Sequence, residues 1–150
     1  MAILLAVTNI ANSQVVTSSL VLPSDTDKIL ITYDATLGES ELMDLALNDT
    51  LYAHIGVITD KSISDKNWKY PKAQWTINIP ECKLTRLSTN RYTLIISPSI
   101  REYFGVPIGE EIKKVAIVFN NIDCSKTGKD VGGLDIYIPV KSTEINCHSK

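Results

Sequence analysis

The sequence predicts an all-β protein: an antiparallel immunoglobulin-like β-sandwich of about seven or eight strands with one short helical turn. Three observations predict it. Short runs rich in β-branched residues recur along the chain, turn signals separate them at intervals of ~8–15 residues, and no repeated helical pattern could form parallel crossovers. With 150 residues, 44% of them hydrophobic, the chain can bury one core but is too short for two ordinary domains.

We expect the sandwich domain to span residues 14–141, between a signal-peptide remnant at residues 1–13 and a polar tail at residues 142–150. The apolar run at residues 2–7 and the small residues before Gln14 indicate the remnant, although a basic n-region is missing. An ordinary buried first strand is the alternative. Export would make the protein secreted or attached to the cell surface, and no other run approaches the ~18 apolar residues of a spanning helix.

The first elements are short. Residues 14–22 are rich in β-formers and end at Pro23, and residues 28–33 resume the pattern after a turn cluster, so two strands are predicted. Residues 37–47 carry leucines without a sustained period and predict one helical turn or an irregular loop.

The clearest strand begins at residue 51, where apolar and polar residues alternate. This alternation assigns a core face to Leu51, Ala53, Ile55 and Val57, and the opposite face to Tyr52, His54 and Gly56. The polar stretch at residues 59–69 that follows is long for a hairpin connection, and loops of that length are often functional.

The later elements alternate with turns. Residues 74–79 predict a short strand, and residues 83–86 and 91–97 predict a hairpin whose turn places Asn90 at a positive φ. Residues 98–105 predict the single helical turn, with a proline in its first turn and a glycine at its end. Two further strands are predicted, with a glycine-rich loop between them, at residues 112–119 and 135–140.

The composition excludes several function classes. A net charge of -2 with fifteen scattered Lys and Arg residues gives no field for a phosphate backbone, so nucleic acid is not an expected partner. Cys82, Cys124 and Cys147 cannot all pair within one chain and have no metal-ligand spacing. One disulfide is possible after export, but small semi-buried thiols are favoured, and no cofactor is predicted.

No catalytic motif is present. The chain lacks GxSxG, HExxH and a P-loop, and its two histidines are His54 and His148. The acidic residues considered for glycoside hydrolysis lie in turn contexts that give no reason to pair any two of them; they are Asp34, Asp60, Asp65 and Glu81. We therefore predict that the protein is not an enzyme.

A weak calcium pattern begins at residue 123, where oxygen-bearing side chains alternate before a glycine. Position twelve is Leu134 instead of a bidentate glutamate, and two lysines oppose a cation, so a solvated hairpin loop is favoured over a metal site. The weak candidate ligands are Asp123, Ser125, Thr127, Asp130 and Asp135.

Four large aromatic residues cluster at residues 52–75. Trp68 and Tyr70 are two residues apart and would share one face of an extended segment, which favours a platform for a sugar ring beside hydrogen-bonding residues such as Asn67. The alternative is that Trp68 folds back as a lid on the core. Trp75 shares strand parity with Ile77, which favours a core position.

The chain resembles the N-terminal immunoglobulin-like module of secreted Bacteroidetes glycosidases of the α-amylase type and of related extracellular proteins. The resemblance covers residues 17–140. It is carried by the strings ITYDATLG, YAHIGVITDKSISDKNWKY with the following Trp75, SIREYFGVPIGEEI, KKVAIVFNN and KTGKDVGGLDIYIPV.

The resemblance implies an early-set sandwich and a distant similarity to starch-binding modules, which carry a histidine or tyrosine on one strand and two tryptophans nearby. Carried over to this sequence, these residues are His54 with Tyr52, and Trp68 with Trp75. The amylase-type catalytic domain is not in the sequence, so its activity is not expected here.

Two functions follow. The first is a non-catalytic, secreted carbohydrate-binding accessory module for an α-glucan polysaccharide or oligosaccharide, working beside a glycosidase domain or a surface glycan-utilisation protein. Its predicted binding residues are Tyr52, His54, Trp68, Tyr70 and Trp75. The second is a structural spacer or docking domain with these aromatics in its core. A flat, exposed Trp68 beside Tyr70 would favour the first, and a buried Trp68 the second.

Overall fold

The computed structural model describes residues 14–142. The predicted signal-peptide remnant, and the tail from residue 143 with Cys147 and His148, lie outside this part of the chain. Within it, eight strands form two antiparallel sheets, which confirms the predicted all-β sandwich. The strands are β1 (Val16–Ser18), β2 (Ile29–Asp34), β3 (Leu51–Thr59), β4 (Thr85–Ser88), β5 (Arg91–Ile96), β6 (Ile112–Asn121), β7 (Thr127–Gly128) and β8 (Ile136–Pro139).

The first sheet has the order β1-β2-β5-β4, and in the second sheet β6 pairs with β3 on one side and with both β7 and β8 on the other. The register of β3 against β6 sets His54 opposite Val118 and Gly56 opposite Ala116. Since β7 and β8 meet different parts of β6, the chain between them leaves the sheet at residues 129–135.

The core lies between the two sheets. The four residues that the alternation of β3 assigned to the core face are all buried, as are Ile136 and Ile138 of β8. At the centre, the ring of Tyr33 stacks on Phe119 with 4.1 Å between centroids, and Tyr92 lies 6.2 Å from Tyr33. These contacts join β2 and β5 of one sheet to β6 of the other, so burial of apolar surface holds the sandwich together.

Short helical segments connect the strands. The helix α1 (Ile100–Phe104) is capped by Ser99, whose Oγ accepts from the Glu102 N–H at 3.1 Å, and it ends at Gly105 with φ 68°. The proline that we expected inside its first turn precedes this cap. Three 3₁₀ turns, Ser40–Leu42, Pro80–Cys82 and Val131–Gly133, complete the helical content of residues 14–142. None of the helices described here is long and apolar enough to cross a membrane.

The hairpin prediction is confirmed, one strand prediction is wrong, and one predicted strand is present but short. Asn90 has φ 67° in the turn between β4 and β5. Residues 74–79 form no strand, because Thr76 has φ 69° and the Ile77 N–H donates to the Gln74 carbonyl at 3.0 Å, which closes a turn. The first strand is shorter than expected and stops at residue 18.

Candidate functional site

The outer face of the second sheet is covered by a second layer. Gly56, Ala116 and Val118 point away from the sandwich core, yet all three are buried. The covering element is residues 60–79, which we call the crossing segment. Of the residues that the alternation assigned to the outside of β3, Gly56 and His54 therefore lie between the sheet and this segment.

Hydrogen bonds fasten the crossing segment to the sheet. Lys69 and Val57 exchange two backbone hydrogen bonds of 2.7 and 3.0 Å, and the Lys72 N–H donates to the Ile55 carbonyl at 2.9 Å. Nearer its start, the Tyr137 hydroxyl donates to the Asp65 carbonyl at 2.8 Å. The segment thus spans the sheet from the edge of β3 that faces away from β6 toward β8.

A glycine makes the close approach possible. A Cβ atom at Gly56 would lie 3.2 Å from the Lys69 carbonyl oxygen, 3.4 Å from the Pro71 Cα and 3.5 Å from the Trp68 ring. A Cβ atom here would therefore require the Lys69 carbonyl to shift by a few tenths of an ångström, and a larger side chain would require more.

Three aromatic side chains meet above this glycine. The Trp68 ring stacks on the His54 imidazole with 5.2 Å between centroids and an interplanar angle of 18°. Trp75 meets the same imidazole edge-on, at 4.8 Å and 87°. The two indoles are therefore steeply inclined to each other. The structure therefore brings together three of the five predicted binding residues, His54, Trp68 and Trp75.

The exposure of the two tryptophans reverses part of the prediction. Trp75 is 48% exposed, so its expected core position is wrong, because the turn at Thr76 removes the strand parity on which it rested. Trp68 is half-buried, since one face is covered by His54. It lies neither flat in solvent nor inside the sandwich.

These rings form one side of an open groove of about 530 Å³. Val118 and Pro71 contribute apolar surface to its walls, and polar side chains from two elements surround the rings. The polar residues are Lys66, Asn67 and Gln74 from the crossing segment, and Lys129 and Asp135 from the excursion between β7 and β8. The groove thus joins aromatic faces to hydrogen-bond donors and acceptors.

The electrostatics of His54 follow from its burial. Desolvation beneath Trp68 lowers the pKa of the imidazole, and the Asp135 carboxylate opposes this shift only in part. The ring is therefore neutral at pH 7, with one nitrogen that donates and one that accepts.

Two predicted binding residues lie outside the groove. Tyr70 has φ 49°, so it does not share a face with Trp68, and its hydroxyl donates to Glu110 Oε2 at 2.5 Å. The expected platform of Trp68 with Tyr70 is therefore wrong, because the backbone is not extended there. Tyr52 is on the same face of β3 as His54 but does not line the groove.

Glu110 is a buried carboxylate that the sequence reasoning missed. Its side chain is 2% exposed, and besides Tyr70 it accepts from Thr59 Oγ1 at 2.7 Å and has Lys61 Nζ at 3.7 Å. The hydrogen bonds from Tyr70 and Thr59 lower its pKa, which favours the ionised form. Its sequence signal, a glutamate just before an apolar strand, is equally typical of a solvated turn.

The five weak metal candidates do not converge. Asp123 accepts from the backbone N–H and hydroxyl of Ser125, Asp130 accepts from the Val131 N–H, and Asp135 lines the groove. The backbone N–H of Thr127 donates to Glu41. Among residues 14–142, no three His, Cys, Asp or Glu side chains are grouped to hold a metal ion.

The two cysteines in this part of the chain are separate. Cys82 is buried beside the Tyr103 hydroxyl, at 3.8 Å, and Cys124 is partly exposed in the turn between β6 and β7. They form no disulfide with each other.

No protein-family model matches the chain, and no curated protein sequence matches it significantly.

Proposed function

We propose that this chain is a non-catalytic carbohydrate-binding accessory module that takes an α-glucan chain in the groove of Trp68, Trp75 and His54. The observation that carries the proposal is the half-exposed indole of Trp75 beside a second indole, with both lining one open groove. A large apolar ring left in solvent next to hydrogen-bonding groups is typical of a ligand site.

The chemistry of the groove suits a sugar. The C–H faces of a pyranose ring pack on aromatic faces, and its hydroxyls need donors and acceptors at the rim. Asn67, Gln74 and the Asp135 carboxylate supply them, and the neutral His54 can add one donor and one acceptor. Since the two indoles are steeply inclined, they suit a curved chain such as an α-glucan better than a flat one.

The proposal includes no chemical step. Among the described residues that line the groove, Asp135 is the one carboxylate, whereas glycoside hydrolysis ordinarily uses two across the scissile bond. We propose that a secreted or surface location, beside a glycosidase domain or a glycan-utilisation protein, makes weak single-site binding useful through tethering.

One observation favours the alternative of a structural spacer or docking domain. Trp68 is half-buried, stacks on His54 and contacts Gly56, which is how a tryptophan that fastens a covering layer would also lie. In that case Trp75 would be the exposed part of a surface that contacts another protein domain.

The test is a titration of intrinsic tryptophan fluorescence with maltoheptaose, with cellohexaose as the control sugar. We expect a saturable change with the α-glucan only. Trp75→Ala should abolish that binding yet cost less than about 1 kcal/mol of stability, because the side chain is half exposed. Ile108→Ala, at an exposed residue remote from the groove, is the matched control and should bind as the wild type does.

Equal affinity in wild type and Trp75→Ala would remove the groove from the proposal. Absence of any response to either sugar would favour the spacer, and the next experiment would be a search for a neighbouring domain.

A further inference from the structure

Glu110 lies just before β6, on the side of the second sheet where β3 ends, and is not part of the groove. A buried carboxylate is costly unless hydrogen bonds compensate its lost hydration. Here the Thr59 hydroxyl donates to Oε1 and the Tyr70 hydroxyl to Oε2, so both oxygens have a donor.

The two donors stand at the two ends of one loop. Thr59 is the last residue of β3, where the chain leaves the sheet, and Tyr70 lies where the chain returns to its edge. Glu110 therefore closes the neck of the loop at residues 60–69, which carries Trp68. Two further hydrogen bonds hold the start of the loop: the Asp60 N–H donates to the Glu111 carbonyl, and the Glu111 N–H donates to the side-chain Oδ1 of Asp60, both at 3.0 Å.

We propose that Glu110 is the positioning residue of the carbohydrate site: by joining Thr59 to Tyr70 it holds Trp68 over Gly56 and against His54 before a ligand arrives. This inference rests on the proposed function. Hydrogen bonds to an ionised acceptor are stronger than neutral ones, so the carboxylate is suited to fix a long loop. A platform fixed in advance loses less conformational freedom on binding, which raises affinity without a further contact.

The arrangement explains the course of the backbone at Tyr70. Its left-handed φ of 49° turns the side chain away from the face of Trp68 and toward Glu110. Left-handed backbone is unfavourable for a tyrosine, and it persists where surrounding contacts determine it. The hydrogen bond to the carboxylate is such a contact.

The test begins in the background Trp75→Phe, in which Trp68 is the one tryptophan and reports its own position. Glu110→Gln keeps the size of the side chain but removes its charge and one acceptor. The matched control is Glu111→Gln, since the Glu111 side chain makes no hydrogen bond or ion pair with the described residues. The readouts, at pH 7.5, are the emission maximum, acrylamide quenching and near-UV circular dichroism.

We expect Glu110→Gln to shift the Trp68 emission to the red, to raise its quenching and to weaken its near-UV signal, and the control to leave all three unchanged. Tyr70→Phe, which removes one hydroxyl, should move them in the same direction by less. With Trp75 restored, Glu110→Gln should bind maltoheptaose roughly tenfold more weakly, equivalent to about 1.4 kcal/mol.

A Glu110→Gln protein that is folded and keeps the wild-type Trp68 spectrum would overturn the inference. If that variant does not fold, Tyr70→Phe decides the matter by the same readouts, and an unchanged spectrum there would equally overturn it. Should the wild type bind no sugar, the proposed function fails, while the Trp68 spectra still show whether Glu110 positions the indole.

Discussion

The outer faces of the two sheets differ in their exposure to solvent, although inward-facing and outward-facing residues alternate along the strands of both sheets. On the first sheet, a row of threonines crosses all four strands in register, and the neighbouring Leu30 and Ile95 are 39% and 58% exposed. On the second sheet, Ala116 and Val118 occupy the equivalent outward positions and are buried. The threonine row consists of Thr17, Thr32, Thr93 and Thr85.

The crossing segment makes the difference. It converts the second sheet from the outer layer of a sandwich into a middle layer, so small and apolar residues on both of its faces become core residues. The groove lies where this covering is incomplete, between the crossing segment and the excursion at residues 129–135. The groove therefore lies on the covered face. On the uncovered face Leu30 and Ile95 remain open to solvent, and Thr93, at 8% exposure, is the one buried member of the threonine row.

The largest effect is expected from Gly56→Val, which would make the two faces alike by lifting the crossing segment. The new side chain would overlap the Lys69 carbonyl and the Trp68 ring, and overpacking of this kind costs about 1–3 kcal/mol. Urea denaturation measures the stability loss, and red-shifted Trp68 emission in the Trp75→Phe background would show the lifted segment. A wild-type emission maximum in this variant would contradict the close approach.

The next effect compares one substitution on both faces. Val118→Thr places a hydroxyl at a position that is only 3% exposed, where the native side chain needs no hydrogen-bond partner. It should cost about 1–3 kcal/mol of stability. Ile95→Thr places the same group in solvent on the other sheet and should stay within about 0.5 kcal/mol. Equal losses, measured as the free energies of unfolding, would mean that the second sheet is not covered in solution.

A smaller effect is expected where β8 fastens the crossing segment. Tyr137→Phe removes the hydroxyl that donates to the Asp65 carbonyl and should cost about 0.5–1.5 kcal/mol. Hydrogen exchange should become faster in residues 60–67 and stay unchanged in β4 and β5. Uniformly faster exchange through both sheets would contradict a local attachment.

The smallest effect is a dependence on pH from His54. Its folded-state pKa lies below the ordinary value of 6.5 because of burial, so the unfolded chain takes up a proton first as the pH falls. Stability that is full above pH 6.5 should therefore decline as the pH drops toward the folded pKa. The free energies of unfolding of wild type and His54→Gln should be measured from pH 8 to pH 5, and the wild type should lose stability relative to the variant as the pH falls. Parallel curves for the two proteins would contradict the prediction.

The sequence by itself determined the sandwich and the inward faces of its strands, because a period of two residues assigns each strand a core face without knowledge of its neighbours. It placed Leu51, Ile55 and Val57 correctly in the core and Asn90 in its hairpin turn. It also selected His54, Trp68 and Trp75, which lie within a short stretch of chain.

Only the tertiary structure decided which tryptophan is exposed and where each tyrosine points. Those outcomes depend on left-handed backbone at Tyr70 and Thr76, which neither residue type predicts. They also depend on Gly56, which matters because the crossing segment packs against it. Glu110 became recognisable only when the fold brought Thr59 and Tyr70 to its two oxygens. Local periodicity can be read from the sequence alone, whereas a contact between residues that are distant in sequence forms only when the layers pack.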